Sequence, residues 1–285
     1  MKVTRKPEWI RVKMQGGQTS NKVNSLISDL NLNTVCNDAN CPNQMECFQR
    51  GTATFMILGR NCTRNCTFCN VTSATPDNVD EMEPINVGKA VSVLGLRHAV
   101  ITSVTRDDLE DQGANQFRKV VEEIRKSSPK ATVELLIPDM QGREDLIDII
   151  IDAEPNVLNH NIETVPELYD TVRPMAIFER SVELLRYVKE KKPHMATKSG
   201  MMLGLGETKN QVVDVFKTLR EANVDMLTLG QYLRPSMEHL PVVEYVTPEQ
   251  FDEYKEIALS MGFKRVASAP LVRSSYFAED LSDII

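Results

Sequence analysis

Thr54-Phe55-Met56-Ile57-Leu58-Gly59 runs through Arg60-Asn61 into Cys62-Thr63-Arg64-Asn65-Cys66-Thr67-Phe68-Cys69. The apolar run is short, rich in branched and aromatic side chains, and closed by glycine. That pattern predicts a buried strand emptying into a loop. In α/β folds the chemistry sits on loops at the C-terminal ends of strands. This loop carries three cysteines at C-x3-C-x2-C spacing. Three thiolates on one loop can hold three irons of a cubane cluster and leave the fourth iron open to a ligand. The alternative is a zinc knuckle lacking one ligand. Zinc sites prefer paired C-x2-C units with a fourth Cys or His close by, and the nearest histidine, His98, lies far downstream on a predicted strand. Disulfides belong to secreted chains, and Met1-Lys2-Val3-Thr4-Arg5-Lys6-Pro7 lacks a signal-peptide core.

All six cysteines fall between positions 36 and 69. The other three, Cys36, Cys41 and Cys47, stand at C-x4-C-x5-C, with Pro42 and several asparagines favouring turns that wrap a short segment round a metal. Two three-cysteine clusters, or one four-cysteine zinc site with two cysteines spare, both account for the set.

From residue 53 onward apolar runs alternate with helical stretches. Strands are predicted at 53–59, 98–104, 131–137, 156–160, 195–203 and 226–230, and helices at 84–95, 113–127, 143–153, 179–191, 208–222 and 248–261. Val182, Leu184, Leu185 and Val188 show the helical period, as do Val212, Val215, Phe216 and Leu219. Six βα units in a row predict an α/β fold with a parallel sheet and right-handed crossovers. Six fall short of the eight that close a TIM barrel. The expected architecture is therefore a partial (β/α)6 TIM-type barrel over residues 53–262. An N-terminal extension, 1–52, with one short helix over 22–30, and a C-terminal extension, 263–285, are expected to cover its open parts.

The chain has 285 residues, 41% hydrophobic and 26% charged, which suits a soluble protein with a substantial core. Its longest apolar run, 146–151, is interrupted by Asp148 and falls far short of a membrane span. A net charge of −7 without a Lys/Arg stripe argues against a nucleic-acid partner. A reduced cytoplasm is the expected compartment, and it suits thiolates kept for metal.

Polar clusters gather at the strand ends: Thr102-Ser103-Val104-Thr105-Arg106-Asp107-Asp108, Asn159-His160-Asn161-Ile162-Glu163-Thr164, Lys198-Ser199-Gly200, Gly204-Leu205-Gly206-Glu207 and Gly230-Gln231-Tyr232-Leu233-Arg234-Pro235. Singly, each has a plain structural use: the aspartates as helix caps, the asparagines in a turn, the glycines in a tight loop. Together they share the rim that carries the cysteine loop, and they supply donors, acceptors and close backbone approach. The terminal Ala269-Pro270-Leu271-Val272-Arg273-Ser274-Ser275-Tyr276-Phe277-Ala278 reads only as a strand end and a turn.

These segments together resemble the lipoyl synthases, a family of radical S-adenosylmethionine (SAM) enzymes, over nearly the whole chain. The resemblance is carried by both cysteine triads, with Phe68 before the last cysteine, and by Arg106-Asp107-Asp108-Leu109 and Asn159-His160-Asn161-Ile162-Glu163-Thr164. Lys198-Ser199-Gly200, Gly230-Gln231-Tyr232-Leu233 and Arg273-Ser274-Ser275-Tyr276 complete it. Gln112 and Ala269 stand where the family usually has glycine, and Phe277 where it usually has histidine.

The resemblance implies two 4Fe-4S clusters and SAM. It implies that Cys62, Cys66 and Cys69 hold the cluster whose open iron chelates SAM, with Phe68, Asn161, Glu163 and Lys198 contacting the cofactor. Cys36, Cys41 and Cys47 would hold an auxiliary cluster consumed as the sulfur source. A tail serine would be its fourth ligand, Ser275 or its neighbour Ser274, and Arg273 would orient that serine or the substrate. The implied reaction puts two sulfurs, at carbons 6 and 8, into an octanoyl chain on a carrier-protein lysine, with two SAM molecules cleaved. The implied partners are octanoylated lipoyl domains of 2-oxoacid dehydrogenases and the glycine cleavage H protein. An electron donor such as flavodoxin or ferredoxin and a cluster-rebuilding protein complete the set. Two alternatives stand beside it: another radical SAM enzyme whose auxiliary cluster anchors substrate or relays electrons, and a zinc-stabilised adaptor.

Overall fold

The computed structural model describes residues 5–11, 17–276 and 278; Phe277 lies outside the described residues. Eight strands form one sheet in chain order: β1 (Asn33–Thr34), β2 (Thr54–Ile57), β3 (His98–Ser103), β4 (Thr132–Leu136), β5 (Val157–Asn159), β6 (Ala196–Leu203), β7 (Met226–Gln231) and β8 (Arg265–Ser268). Strands β2 to β8 run parallel, each paired with the next, and β1 lies antiparallel on β2. Among the described residues no pairing joins β8 back to β1, so the barrel is open along that seam.

Among the described residues, three α-helices belong to the leader: α1 (Gln18–Asp29), α2 (Val35–Asp38) and α3 (Gln44–Gln49). The crossovers carry α4 (Glu83–Leu94), α5 (Ala114–Ser127), α6 (Glu144–Asp152), α7 (Tyr169–Val172), α8 (Phe178–Lys191), α9 (Lys209–Glu221) and α10 (Pro248–Ser260). Six strand–helix units therefore run from β2 to α10, as the alternating pattern predicts, and a seventh parallel strand, β8, follows them.

The strands are buried on both faces, which is why they read as unbroken apolar runs rather than as alternation. Their outer side chains meet one stripe of each helix, such as Phe117, Val120, Val121 and Ile124 of α5. Inner side chains come at every second residue, with Thr54, Met56, Val100, Thr102, Met202 and Thr228 reaching the barrel interior. Two features lie outside the sequence prediction. β1 is only two residues long, below what periodicity can detect. β8 is a short, half-polar run whose strand character comes from its pairing with β7, Met226 opposite Arg265. The helix expected over 22–30 is longer and begins at Gln18, with Gly17 as its cap. Gln112 adopts φ 47°, a conformation that glycine takes without steric cost.

Candidate active site

β2 delivers the chain through Gly59, at φ 93°, into the 62–69 loop. The Cys62 N–H donates to the Thr72 carbonyl at 2.8 Å. Cys62 Sγ accepts backbone N–H bonds from Thr105 (3.3 Å) and Arg64 (3.4 Å). Such bonds to a ligating sulfur tune the metal that it holds. Arg64 is buried and grips two carboxylates, Asp107 at 2.7 and 2.9 Å and Asp139 at 2.7 Å. Burial alone would raise the Asp139 carboxyl, but the Arg64 guanidinium overrides it and holds it at about 2. Thr67 donates to the carbonyls of Thr171 (2.7 Å) and Val172 (3.2 Å), and His239 Nε2 lies 3.0 Å from the Cys69 carbonyl. The cysteine loop is thus fastened to segments following β3, β4, β5 and β7.

The loop opens on a cavity of about 520 Å³ inside the barrel, within the roughly 300–1,000 Å³ of small-molecule sites. Cys62, Cys66, Phe68 and Cys69 line one part of it, with Asn161, Glu163 and Arg173 beside them. Glu163 is half-buried and held at φ 67° by two backbone bonds to β6, its N–H to the Gly200 carbonyl (3.1 Å) and its carbonyl from the Met202 N–H (2.8 Å). A left-handed non-glycine residue is strain kept where the surroundings over-determine it, and it aims this carboxylate. Burial pushes the Glu163 carboxyl up, while Arg173 and the Asn161 amide pull it down. Gly200 leaves room for that amide, since a methyl at Gly200 would lie 2.8 Å from Asn161 Oδ1. Arg173 was not singled out by the sequence, because a lone arginine before Pro174 carries no pattern. It donates to the Asn161 carbonyl (3.0 Å) and the Tyr169 hydroxyl (3.2 Å), and its buried Nε finds no acceptor among the described residues.

Lys198, expected beside these residues, is not among those lining the cavity. Its ammonium is fully enclosed, 2.9 and 3.2 Å from the Glu134 carboxylate and 2.6 Å from the Ser274 carbonyl.

The second triad faces the same cavity from the leader. Thr34 caps α2 by accepting the Asn37 N–H (3.3 Å), which sets Cys36 in the first turn. Cys41 N–H closes a turn on the Cys36 carbonyl (3.1 Å), and Cys47 rides on α3. Burial drives the Cys36 thiol up to about 11 and Cys47 to about 12; repulsion from Cys36 and Cys41 adds to the latter. Cys69 rises to about 12 through burial, then through Cys66 and Cys62. The other cysteines that act on each of these three thiols come from its own triad.

The tail closes over the second triad. The Asn43 amide donates to the Leu271 carbonyl (2.7 Å), and the Tyr276 hydroxyl donates to Glu46 (3.0 Å). A turn from Arg273 to Tyr276, closed by a 3.0 Å N–H bond, puts Ser274 and Ser275 at its centre. Ser275 Oγ accepts a hydrogen bond from the Thr54 hydroxyl at 2.7 Å, and Thr54 also hydrogen-bonds the Cys36 thiol. Ser274 Oγ is instead held between Asn159 (2.9 Å) and Asn161 (3.0 Å). Arg273 lines the cavity as a half-buried cation whose electrostatic neighbour is Cys41. Thr54 opens β2 and the 62–69 loop follows its far end, so the triads sit toward opposite ends of one strand.

A family model of the radical SAM superfamily matches residues 56–219. "Lipoyl synthase" of Caldicellulosiruptor saccharolyticus is 53% identical over 285 residues, 100% of both chains. "Lipoyl synthase" of Caldanaerobacter subterraneus subsp. tengcongensis is 54% identical over 275 residues, 96% of each. The chain belongs to the lipoyl synthase family, within the radical SAM superfamily. Among solved structures, methylornithine synthase shares the fold, with a TM-score of 0.52 at 15% identity over 87% of this chain and 82% of that one.

Radical SAM membership implies a 4Fe-4S cluster and SAM, and the residues present fit both. Three thiols on one fastened loop face a cavity, and metal binding displaces the protons that burial favours on Cys66 and Cys69. Beside them, the unpartnered Arg173 N–H and the Glu163 carboxylate offer opposite charges. That pair suits a ligand bearing both a carboxylate and an ammonium, as the methionine end of SAM does. The lipoyl synthase family also implies a protein-bound octanoyl substrate. No helix among the described residues is long and apolar enough to cross a membrane.

Proposed function

We infer that this chain is a lipoyl synthase. It inserts sulfur at carbons 6 and 8 of an octanoyl-lysine on a carrier protein, at the expense of two SAM molecules, and draws the sulfur from a second 4Fe-4S cluster. The observation that carries this reading is one cavity lined by two cysteine triads and Ser275. SAM bound at the open iron supplies, on reduction, the radical that abstracts hydrogen from an unactivated carbon.

The chain's own residues divide the work. Cys62, Cys66 and Cys69 hold the first cluster, and Phe68, Asn161, Glu163 and Arg173 orient SAM and exclude water around it. Cys36, Cys41 and Cys47 hold the second cluster, with Ser275 as its fourth ligand. An alkoxide is a poorer match to iron–sulfide chemistry than a thiolate, which suits a cluster that must be dismantled. Arg273 offsets the negative charge gathered at Cys41 and orients the serine. The carriers are lipoyl domains and the glycine cleavage H protein, the reductant is a flavodoxin or ferredoxin, and a further protein rebuilds the spent cluster. A reducing cytoplasm suits six unpaired cysteines.

The test is mass spectrometry of an octanoyl-lysyl peptide incubated anaerobically with cluster-loaded protein, SAM and reductant. The peptide should gain two sulfurs as a dithiol, and lose two hydrogens only on later oxidation to the cyclic disulfide. Cys66→Ala should abolish 5′-deoxyadenosine formation while keeping the irons of the second cluster. Cleaved SAM with an unaltered peptide would point to a different radical SAM reaction.

A further inference from the structure

The ion pair inside the barrel has a use that neither cluster explains. Lys198 and Glu134 are 0% and 1% exposed, far from solvent that could repay their desolvation. Buried ion pairs are weak sources of stability and are best attested as devices that fix register or position. Glu134 is fully engaged: by Lys198, by His98 Nε2 at 3.3 Å and by the Asn159 amide at 2.8 Å. A pair meant only to join β4 to β6 would be complete there. Instead the lysine reaches 76 residues along the chain, to the Ser274 carbonyl at 2.6 Å. Asn159 likewise bridges Glu134 and the Ser274 hydroxyl. Ser274 is thereby held by its carbonyl and its side chain together. Its neighbour in the same turn, Ser275, is left facing Thr54 and Cys36.

We propose that Lys198, Glu134 and Asn159 form a buried clamp on Ser274 that positions Ser275 at the second cluster. The role is one of positioning: none of the three touches cluster, SAM or substrate. The inference rests on Ser275 being the ligand of that cluster.

The experiment compares three variants of the full chain: Glu134→Gln/Lys198→Met, which strands no buried charge, Asn159→Ala, and Ser275→Ala. Amide exchange of residues 273–276 is read in the cluster-loaded proteins. Mössbauer spectra are read in a background with Cys62, Cys66 and Cys69 replaced by alanine, so that only the second cluster is present. In both clamp variants tail exchange should rise at least about tenfold. The spectral component of the serine-bound iron should weaken, and sulfur insertion should fall by up to about 100-fold, as a shift of about 1 Å can cause. SAM cleavage should stay within about twofold in Glu134→Gln/Lys198→Met, since the clamp lies off the SAM cavity. Should Ser275→Ala erase the iron component while both clamp variants keep it with unchanged tail exchange, the clamp is overturned and the ligand stands. Should Ser275→Ala itself leave the spectrum unaltered, the ligand assignment falls and the clamp falls with it. Loss of SAM cleavage in the double variant would put Lys198 on the cofactor and overturn the clamp.

Discussion

Two adjacent serines illustrate how much a single residue's surroundings decide. Ser274 Oγ is satisfied by two asparagine amides, whereas Ser275 Oγ accepts, among the described residues, from a hydroxyl that can turn elsewhere. Ser275→Ala should therefore block sulfur insertion while SAM cleavage continues, and Ser274→Ala, which leaves its carbonyl to Lys198, should lower it no further than Asn159→Ala does; complete loss in Ser274→Ala would refute the assignment. A second residue-scale expectation concerns acid. Asp139 has a folded value of about 2, below the roughly 3.9 of a free aspartate, so its ion pair adds stability above about pH 4 that disappears as pH falls toward 2. The contribution at pH 7 is on the order of 2–3 kcal/mol. Thermal unfolding of cluster-free protein beside Asp139→Asn should show a gap at pH 7 that closes by about pH 2, and a constant gap would exclude this ion pair as its source. The cysteine triads were readable because spacing alone encodes them. Thr54 and Arg173 were not: each acquires meaning from partners that only the fold brings near, Ser275 221 residues away in one case. Lys198 was expected at SAM for the converse reason. A lysine on a strand looks the same whether it faces a cavity or Glu134, 64 residues earlier.

At the scale of elements, the six main helices were predicted to within about two residues because each carries an apolar stripe and clear stops. α9 and α10 each begin with a reciprocal cap, in α10 Thr247 accepting the Gln250 N–H (3.3 Å) and Gln250 accepting the Thr247 N–H (2.9 Å). Thr247→Ala should cost about 1 kcal/mol, seen as a lower urea midpoint at unchanged slope. A changed slope would mean that more than the cap had been lost. α10 matters to the site because its Phe251 carbonyl accepts the Ser268 hydroxyl (2.6 Å), fixing β8 just before the tail departs. β8 itself escaped sequence reading because four residues with one exposed arginine are indistinguishable from a turn until β7 lies alongside. Gly230 shows the same dependence: a methyl there would overlap the Val272 carbonyl, so strand and tail touch backbone to backbone.

At the scale of the whole molecule, the open seam between β8 and β1 is bridged by side chains rather than by strand pairing. Asn43 to Leu271, Glu46 to Tyr276 and Thr54 to Ser275 join the first fifth of the chain to its end. Ending the chain at Arg273 should leave the 62–69 loop and SAM cleavage in place, with fewer irons retained per chain and no sulfur insertion. Iron analysis and the peptide assay would show it, and full insertion by the shortened chain would refute the bridging role. Length, charge and alternation made the barrel readable, but these cross-ties pair residues more than 200 positions apart, and no local pattern announces them.

The same cross-ties impose an order in time. A chain leaves the ribosome from its N-terminus, and domains generally fold in that order. The ligands on the 62–69 loop and the segments that fasten it, through His239, are out while the tail is still being made. The second site, by contrast, has its three thiols before the barrel is made and Ser275 only after it. Cys36, Cys41 and Cys47 thus precede by the whole barrel the segment that closes over them. On the proposed assignment, the ligand set of the second cluster is completed only once the tail has emerged.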